Sequence, residues 1–374
     1  MANAETATGN STNYWVFSNP TDRIGMYVKG TGKLEVYWGD GTTAEYTLSG
    51  GAQAISYTYG STATRGVVMI GNVSYIESNI EGGIGGAGAT SFGGDITTMS
   101  TLTYIGVFGS NTVTGDISKL TGLTHLEATG SNTLYGSLSN LTSLNYISIQ
   151  GSNKISGSVT NLTSVTTLLL QGNNTVSGDI SNMALTYLTI AGQNTVTGSL
   201  ANCAASITNI NIAGNNTVSG SITGFTHLQY LILQGNNTVS GSVTAMTSMS
   251  QLMVTHGSVT GSIAGMLSLQ YLYQTVAGLD YSAVNWNSLP LLCYVIPYGL
   301  TSAQQDAVLA ALWANKDVSK AGPAQWYSTL RVIDLHNGTA QTPSGAGYTN
   351  KTSLQGYRTP NNSALYSLWT VTTN

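Results

Sequence analysis

The chain has 374 residues, of which 41 % are hydrophobic and only 7 % charged, with a formal net charge of −4. So little charge excludes the basic field that would draw in nucleic acid or an anionic membrane surface. No apolar run reaches the ~20 residues of a spanning helix, so membrane insertion is not expected either. The polar remainder is Ser, Thr, Asn, Gln and Gly, which hydrogen-bond without charge. The two cysteines, Cys203 and Cys293, match no metal or redox spacing, so disulfides are not the staple of the fold. The N-terminus, Met1-Ala2-Asn3-Ala4-Glu5, is polar and shows neither a basic n-region nor an apolar h-region. The expectation is a mature form, or exit from the cell without a classical signal, as in virus particles released by lysis.

Residues 13 to about 80 read as strands. Leu34, Val36 and Trp38 alternate with Glu35 and Tyr37, the period of a half-buried strand. The strand runs into Gly39-Asp40-Gly41-Thr42, where Asp-Gly signals a hairpin turn. A second strand pair is expected around Ile55–Tyr59 and Gly66–Ile70. The Trp-Gly-Asp-Gly-Thr turn, followed by Tyr57-Thr58-Tyr59, resembles the PKD-like, immunoglobulin-type β-sandwich modules of extracellular proteins. That resemblance implies a β-sandwich over residues 1–81.

Residues 82–94 form a Gly-rich linker. No helix and no Lys-Ser/Thr follow it, so a turn into the next segment is favoured over a phosphate-cradling loop.

A 21-residue beat then begins. Gly followed by Asp or Ser and an apolar residue recurs at Gly94, Gly115, Gly136, Gly157, Gly178, Gly198, Gly220, Gly241 and Gly261. Self-similarity at that period means a solenoid of about nine coils, each burying its apolar face against its neighbours. One unit reads Leu228-Gln229-Tyr230-Leu231-Ile232-Leu233-Gln234-Gly235-Asn236-Asn237-Thr238-Val239-Ser240-Gly241. It resembles the leucine-rich repeat, with the repeat Asn at Asn111, Asn132, Asn153, Asn174, Asn194, Asn216 and Asn237. Such an Asn would bond backbone groups of its own and adjacent coils. The segments after each Gly are too short and too β-branched for helices, so turns or a short second strand are expected there. The solenoid is assigned to residues 95–299, and the fold class is mainly β.

Residues 300–374 differ. Ser302-Ala303-Gln304-Gln305 reads as a capping box opening a helix that buries Val308, Leu309 and Leu312. Strands are expected at Leu330–Leu335 and Leu368–Thr372, with the loop Thr342-Pro343-Ser344-Gly345-Ala346-Gly347 between them. Helix, strand, Pro-Ser loop and terminal Trp-x-Val strand resemble the C-terminal unit of BspA-like leucine-rich-repeat surface proteins. Similar units occur in phages of the bacteria that carry them. The insertion Tyr357–Leu365 departs from that pattern and reads as a contact loop. A small α/β cap would cover the end of the solenoid.

Chemistry is sparse. Asp95, Asp116 and Asp179 share one repeat position that Ser fills elsewhere, so they read as turn caps rather than as metal ligands or a catalytic pair. His125, His227, His256 and His336 show no metal-ligand spacing, and neither a metal nor a cofactor is expected. On the repeat strands, one outward column reads Tyr104, His125, Tyr146, Thr167, Tyr187, Asn209, Tyr230, Gln251, Tyr271. Alternate tyrosines would lie roughly 10 Å apart. Gln150, Gln171 and Gln234 accompany them as uncharged donors and acceptors. This face is a candidate for contact with glycan or protein, set against a structural row that duplicated coils copy for free.

Three function classes follow. The first is a non-enzymatic phage virion surface protein, a head or tail fibre or a capsid decoration, contacting bacterial surface glycan or protein. The second, implied by the BspA-like resemblance, is a bacterial cell-surface adhesin. The third, a glycan-cleaving enzyme, lacks a carboxylate pair. The location is then the virion surface, or else the bacterial cell surface. Partners would be other virion proteins or copies of the chain itself, a homotrimer being typical of phage fibres.

Overall fold

A computed structural model describes residues 14–78, 92–289, 292, 294–314, 331–334 and 369–372. The fold is mainly β, a β-solenoid of about ten turns. It divides into two units, residues 1–185 with 189–198, and residues 186–188 with 199–374.

In the first unit, the N-terminal strands are β1 (Tyr14–Asn19), β2 (Arg23–Tyr37), β3 (Thr43–Ser49), β4 (Gln53–Thr58) and β5 (Arg65–Ser78). The alternation in β2 buries Leu34, Val36 and Trp38 as expected. The Asp-Gly turn joins β2 to β3, with Tyr37 opposite Thr43. Asp40 caps it, its carboxylate accepting from the Thr42 N–H at 2.9 Å and from the Tyr57 hydroxyl at 2.8 Å. Tyr57 stacks on Trp38, and Tyr59 donates to the Trp38 carbonyl. The whole Trp-Gly-Asp-Gly-Thr and Tyr-x-Tyr signature is thus one self-consistent turn. The expected second strand pair is corrected. Strands β4 and β5 both form, but each lies antiparallel to β2, and β5 also pairs with β1.

Gly93 and Gly94, at the end of the Gly-rich stretch, belong to β6 (Gly93–Asp95), while residues 79–91 lie outside the described set. Two parallel ladders begin here. The C-terminal half of β5 pairs with β7 (Tyr104–Val107), and β6 pairs with β8 (Thr112–Asp116). Later coils repeat the two strands, four residues in the first ladder and five in the second, until Leu279–Asp280 and Tyr294–Ile296 shorten to two and three. The second strand contains the beat glycine, as in Lys154–Ser158, whereas the segment after it, Asn161-Leu162-Thr163-Ser164, forms turns, one of the two alternatives the sequence left open. One coil buries Leu138, Leu141, Leu144, Ile147, Ile149 and Ile155 completely. Full burial of such a side chain contributes about 1.5–3 kcal/mol, the main force holding coils together.

Buried turns need their backbone groups satisfied, and the repeat Asn does this. The Asn153 Oδ1 accepts from the Leu134 N–H of the preceding coil at 2.9 Å. Its Nδ2 donates to the carbonyls of Ala128, in that coil, and Gln150, in its own. Asn132 and Asn174 repeat the pattern.

In the second unit, the first-ladder strands Asn209–Ile212, Tyr230–Leu233, Gln251–Val254, Tyr271–Gln274 and Tyr294–Ile296 pair in parallel. Strands Arg331–Asp334 and Trp369–Thr372 continue the same parallel ladder. Helix α1 (Ser302–Ala314) buries Val308, Leu309 and Leu312 as expected. Its cap sits one residue earlier than the sequence suggested. Thr301 and Gln304 form the reciprocal bonds, Gln304 N–H to Thr301 Oγ1 and Thr301 N–H to Gln304 Oε1. The Thr342–Gly347 loop, the Tyr357–Leu365 insertion, His336 and Cys293 lie outside the described residues. Cys203 is buried.

Candidate functional site

The beat glycine and the two residues after the Asp or Ser build one rung of each coil. Gly136 adopts φ +109°, and a Cβ there would run into the Asp116 carboxylate of the preceding coil. That close approach is why the position is Gly. The next residue turns the chain. Asp116 Oδ1 accepts from the Ser118 N–H at 2.9 Å, Asp179 Oδ1 from Ser181 at 2.7 Å, and Asp95 Oδ1 from Thr97 at 2.8 Å. Where Ser replaces Asp, its hydroxyl does the same, as in Ser158 accepting from the Thr160 N–H. The hydroxyl two residues on then accepts from the following coil: Ser137 N–H donates to Ser118 Oγ at 2.7 Å, and Ser158 N–H to Ser139 Oγ at 2.9 Å. Hydrogen bonds from the Ser118 hydroxyl and N–H hold the Asp116 carboxyl below the usual carboxylate range, and Ser181 does so for Asp179. The repeat carboxylates are turn caps, as read from the sequence. Among the described residues no His, Cys, Asp or Glu cluster could hold a metal ion, and no helix is long and apolar enough to cross a membrane.

The outward column of the first ladder is the remaining candidate. In the first unit, register places Tyr75, Tyr104, His125, Tyr146 and Thr167 side by side on successive strands. Their rings are in contact. Tyr75 stacks on Tyr104 with centroids 4.0 Å apart, Tyr104 on His125 at 4.1 Å, and His125 on Tyr146 at 4.1 Å. Tyr104 and Tyr146 therefore turn flat faces to His125 rather than to solvent, and what they expose is edges and hydroxyls. His125 Nε2 lies 3.6 Å from a Glu127 carboxylate oxygen, too far for a hydrogen bond. The Tyr75 hydroxyl donates to Glu77, and the Lys29 ammonium sits over the Tyr75 ring. Burial first, and Glu77 second, push the Tyr104 phenol above its ordinary range.

In the second unit the column continues as Asn209, Tyr230, Gln251, Tyr271 and Tyr294, all half-buried. Tyr187, also half-buried, stands at the same strand position. Tyr271 and Tyr294 stack at 4.1 Å, with planes 11° apart. The next outward position on these strands holds Asn211, Ile232, Met253, Tyr273 and Ile296, again half-buried. The four repeat strands from Asn209 to Gln274 carry no charged residue on this face. Gln150, Gln171 and Gln234 each follow a first-ladder strand directly and are half-buried. Their carbonyls accept from Asn153, Asn174 and Asn237.

Sequence reasoning missed Tyr75, Tyr273 and Tyr294. Tyr75 and Tyr294 fall 29 residues before Tyr104 and 23 after Tyr271, so the 21-residue beat does not reach them. Tyr273 was legible, two residues beyond Tyr271 on the same strand face.

No protein-family model matches the chain, and no curated protein matches it. Among solved structures, the crystal structure of a plant ice-binding protein aligns with it at a TM-score of 0.34 and 18 % identity. The alignment covers 63 % of this chain and 77 % of that one.

Proposed function

We propose that the chain is a non-enzymatic phage virion surface protein, a fibre or capsid decoration, that contacts bacterial surface glycan or protein through its solenoid strands. The observation that carries the contact role is the outward column of the second unit. Tyr230, Tyr271 and Tyr294 stand beside Asn209 and Gln251 on a charge-free sheet face. Tyrosine combines an apolar ring with a polar tip, and amides both donate and accept, so such a face suits hydroxyl-rich or mixed surfaces. The repeat carboxylates Asp95, Asp116 and Asp179 are occupied as turn caps, which supports contact over acid–base chemistry.

The finer assignments belong to this proposal as well. The Asn rows and the apolar pattern support a leucine-rich-repeat kinship. The Trp38–Tyr59 turn supports a PKD-like N-terminal module, and the helix and strands after residue 300 support a BspA-like C-terminal unit. That last resemblance favours the second reading, a bacterial cell-surface adhesin.

Proteomics on gradient-purified virus particles, beside washed cell envelopes of the same culture, tests the reading. Recovery at fixed stoichiometry with capsid proteins is the expected result. Recovery in the envelopes alone would replace it with the adhesin.

A further inference from the structure

The outward face of the first unit carries a second column, two residues beyond the ring stack on each strand. Register sets Glu77, Gly106, Glu127 and Ser148 side by side on successive first-ladder strands. The two glutamates are two strands apart, about 10 Å. No other first-ladder repeat strand between Tyr104 and Gln274 carries a carboxylate, so Glu127 is not part of the bonding that the repeat copies from coil to coil.

Each carboxylate stands by the ring two residues before it. Glu77 accepts from the Tyr75 hydroxyl, and a Glu127 oxygen lies 3.6 Å from His125 Nε2. Between these two rings stands Tyr104, and the residue two beyond it is Gly106, which has no side chain. A Cβ at Gly106 would lie 3.0 Å from Tyr104 Cε1 and 3.4 Å from Phe108 Cε2, so ring edges floor the gap between the carboxylates. Burial chiefly, and the charges of both Glu77 and Glu127, raise the Tyr104 phenol above its ordinary range, which keeps it a neutral hydroxyl beside them.

The fold does not balance these charges. Among the described residues, neither Glu77 nor Glu127 has a lysine or arginine within ion-pair distance. Lys29 lies over the Tyr75 ring, on the side of that strand away from Tyr104. Two polar groups beside Glu127 also lack partners. Ser148 is 2 % exposed and its hydroxyl makes no hydrogen bond among the described residues. His125 Nε2 is closed off from solvent and makes none either. Half-buried carboxylates in such surroundings are stabilised when an opposite charge with donors to spare arrives.

We propose that Glu77, Glu127 and the Tyr104 edge between them receive an arginine side chain of a protein partner. A guanidinium presents five donors in a planar fork, so it reaches two carboxylates at once, where a compact ammonium reaches one. It is also weakly hydrated, which suits a floor of aromatic carbon. The strip lies on the first unit and goes beyond the contact role proposed above. Its failure leaves that role untouched, because the role is tested on virus particles and envelopes.

The test titrates the full chain calorimetrically with hexa-arginine, with hexalysine as companion probe, at low and at physiological salt. Wild type binds hexa-arginine saturably and more tightly than hexalysine. Glu77→Gln and Glu127→Gln each remove one charge but keep an acceptor oxygen, and each weakens binding about tenfold, the worth of one charge-assisted hydrogen bond. Glu45→Gln removes the same charge from β3 and leaves the affinity within about twofold, since exposed charges at a distance are screened. Where Glu77→Gln lowers the melting temperature by disturbing the Tyr75 bond, Glu127→Gln carries the test alone, because its carboxylate makes no hydrogen bond in the fold. Wild type that does not bind hexa-arginine overturns the site. So does a Glu45→Gln loss equal to that of Glu127→Gln, which would mean diffuse attraction by net charge. Hexalysine bound as tightly as hexa-arginine overturns the guanidinium assignment.

Discussion

The imidazole of His125 lies 4.1 Å from the ring of Tyr146, and the two planes are within 7° of parallel. On its other face the imidazole meets Tyr104 at the same distance. One residue thus joins two coils through their outward side chains, in addition to the strand ladder beneath. Aromatic pairs of this kind contribute about 0.5–1.5 kcal/mol each beyond area burial. His125→Ala removes both contacts and should cost about 1–3 kcal/mol in urea unfolding of the full chain. His125→Tyr, which restores a ring, should recover most of that loss.

The Asn rows predict a larger effect. Asn153→Ala leaves the Leu134 N–H buried without an acceptor and removes the Asn153 donor from the Gln150 carbonyl, while the Ala128 carbonyl keeps the Gln150 N–H. Unsatisfied buried groups cost about 1–3 kcal/mol each, so a loss of at least 2–4 kcal/mol is expected. Asn153→Asp supplies the acceptor but neither donor, and should fall between Ala and wild type. Urea midpoints of the three proteins check the order.

Gly136→Ala tests the rung from the backbone side. Its φ of +109° disfavours any side chain, and the new Cβ meets the Asp116 carboxylate. A destabilisation of about 1–3 kcal/mol follows from the backbone alone. Pairing the change with Asp116→Ala removes the nearest clash and leaves the contact with the Ser118 hydroxyl and the conformational part. A double-mutant cycle should therefore show favourable coupling.

Acid stability follows from the turn caps. Asp116 and Asp179 are held below the usual carboxylate range by the hydroxyl and N–H of Ser118 and Ser181 respectively. A carboxyl whose folded value lies below its unfolded value of ~3.9 stabilises the fold above that pH. The contribution is lost as the pH falls further, through the folded value. Stability should be level in these groups from neutrality down to about pH 4 and decline below it. Asp179→Ser, the residue most other coils use, should leave neutral-pH stability near wild type and flatten part of the acid decline. Melting curves between pH 2 and pH 7 would show it.

Helix α1 offers a local check on its cap. Thr301→Ala removes the acceptor for the Gln304 N–H and should cost about 1 kcal/mol, whereas Ser302→Ala should cost much less. A larger loss at Ser302 than at Thr301 would place the cap at Ser302.

The solenoid was legible because its signals are redundant. The beat glycine, the Asp or Ser after it and the buried Asn each mark the same period, and each has a separate physical reason to do so. The ring column was legible as a pattern but not as a packing arrangement. His125 looks like an interruption of the tyrosines, and only the register shows it completing their stack. Strand identity near Ile55 and Gly66 was readable, yet strand partners were not. Period-2 burial says which face is covered and nothing about which neighbour supplies the hydrogen bonds. The cap of α1 slipped by one residue because Thr301/Gln304 and Ser302/Gln305 offer the same chemistry. The hydroxyl two residues beyond the Asp or Ser was visible at every beat except Ala201 and Ala264, but its local bond to that Asp or Ser gave no sign of a second role. Its partner, such as Ser137 N–H for Ser118, lies one coil later.

That hydroxyl has a consequence for how such a chain changes over generations. Ser118 asks of the next coil only a backbone N–H, and Ser139 asks the same of the one after. That bond is therefore indifferent to the side chain carried by the donating residue, while the Gly and Asn of the receiving coil stay required. Duplicating or deleting a 21-residue block that carries its Gly, hydroxyl and Asn leaves the same set of bonds at the new joint. Reach can be lengthened or shortened in whole steps while the outward columns drift freely in sequence.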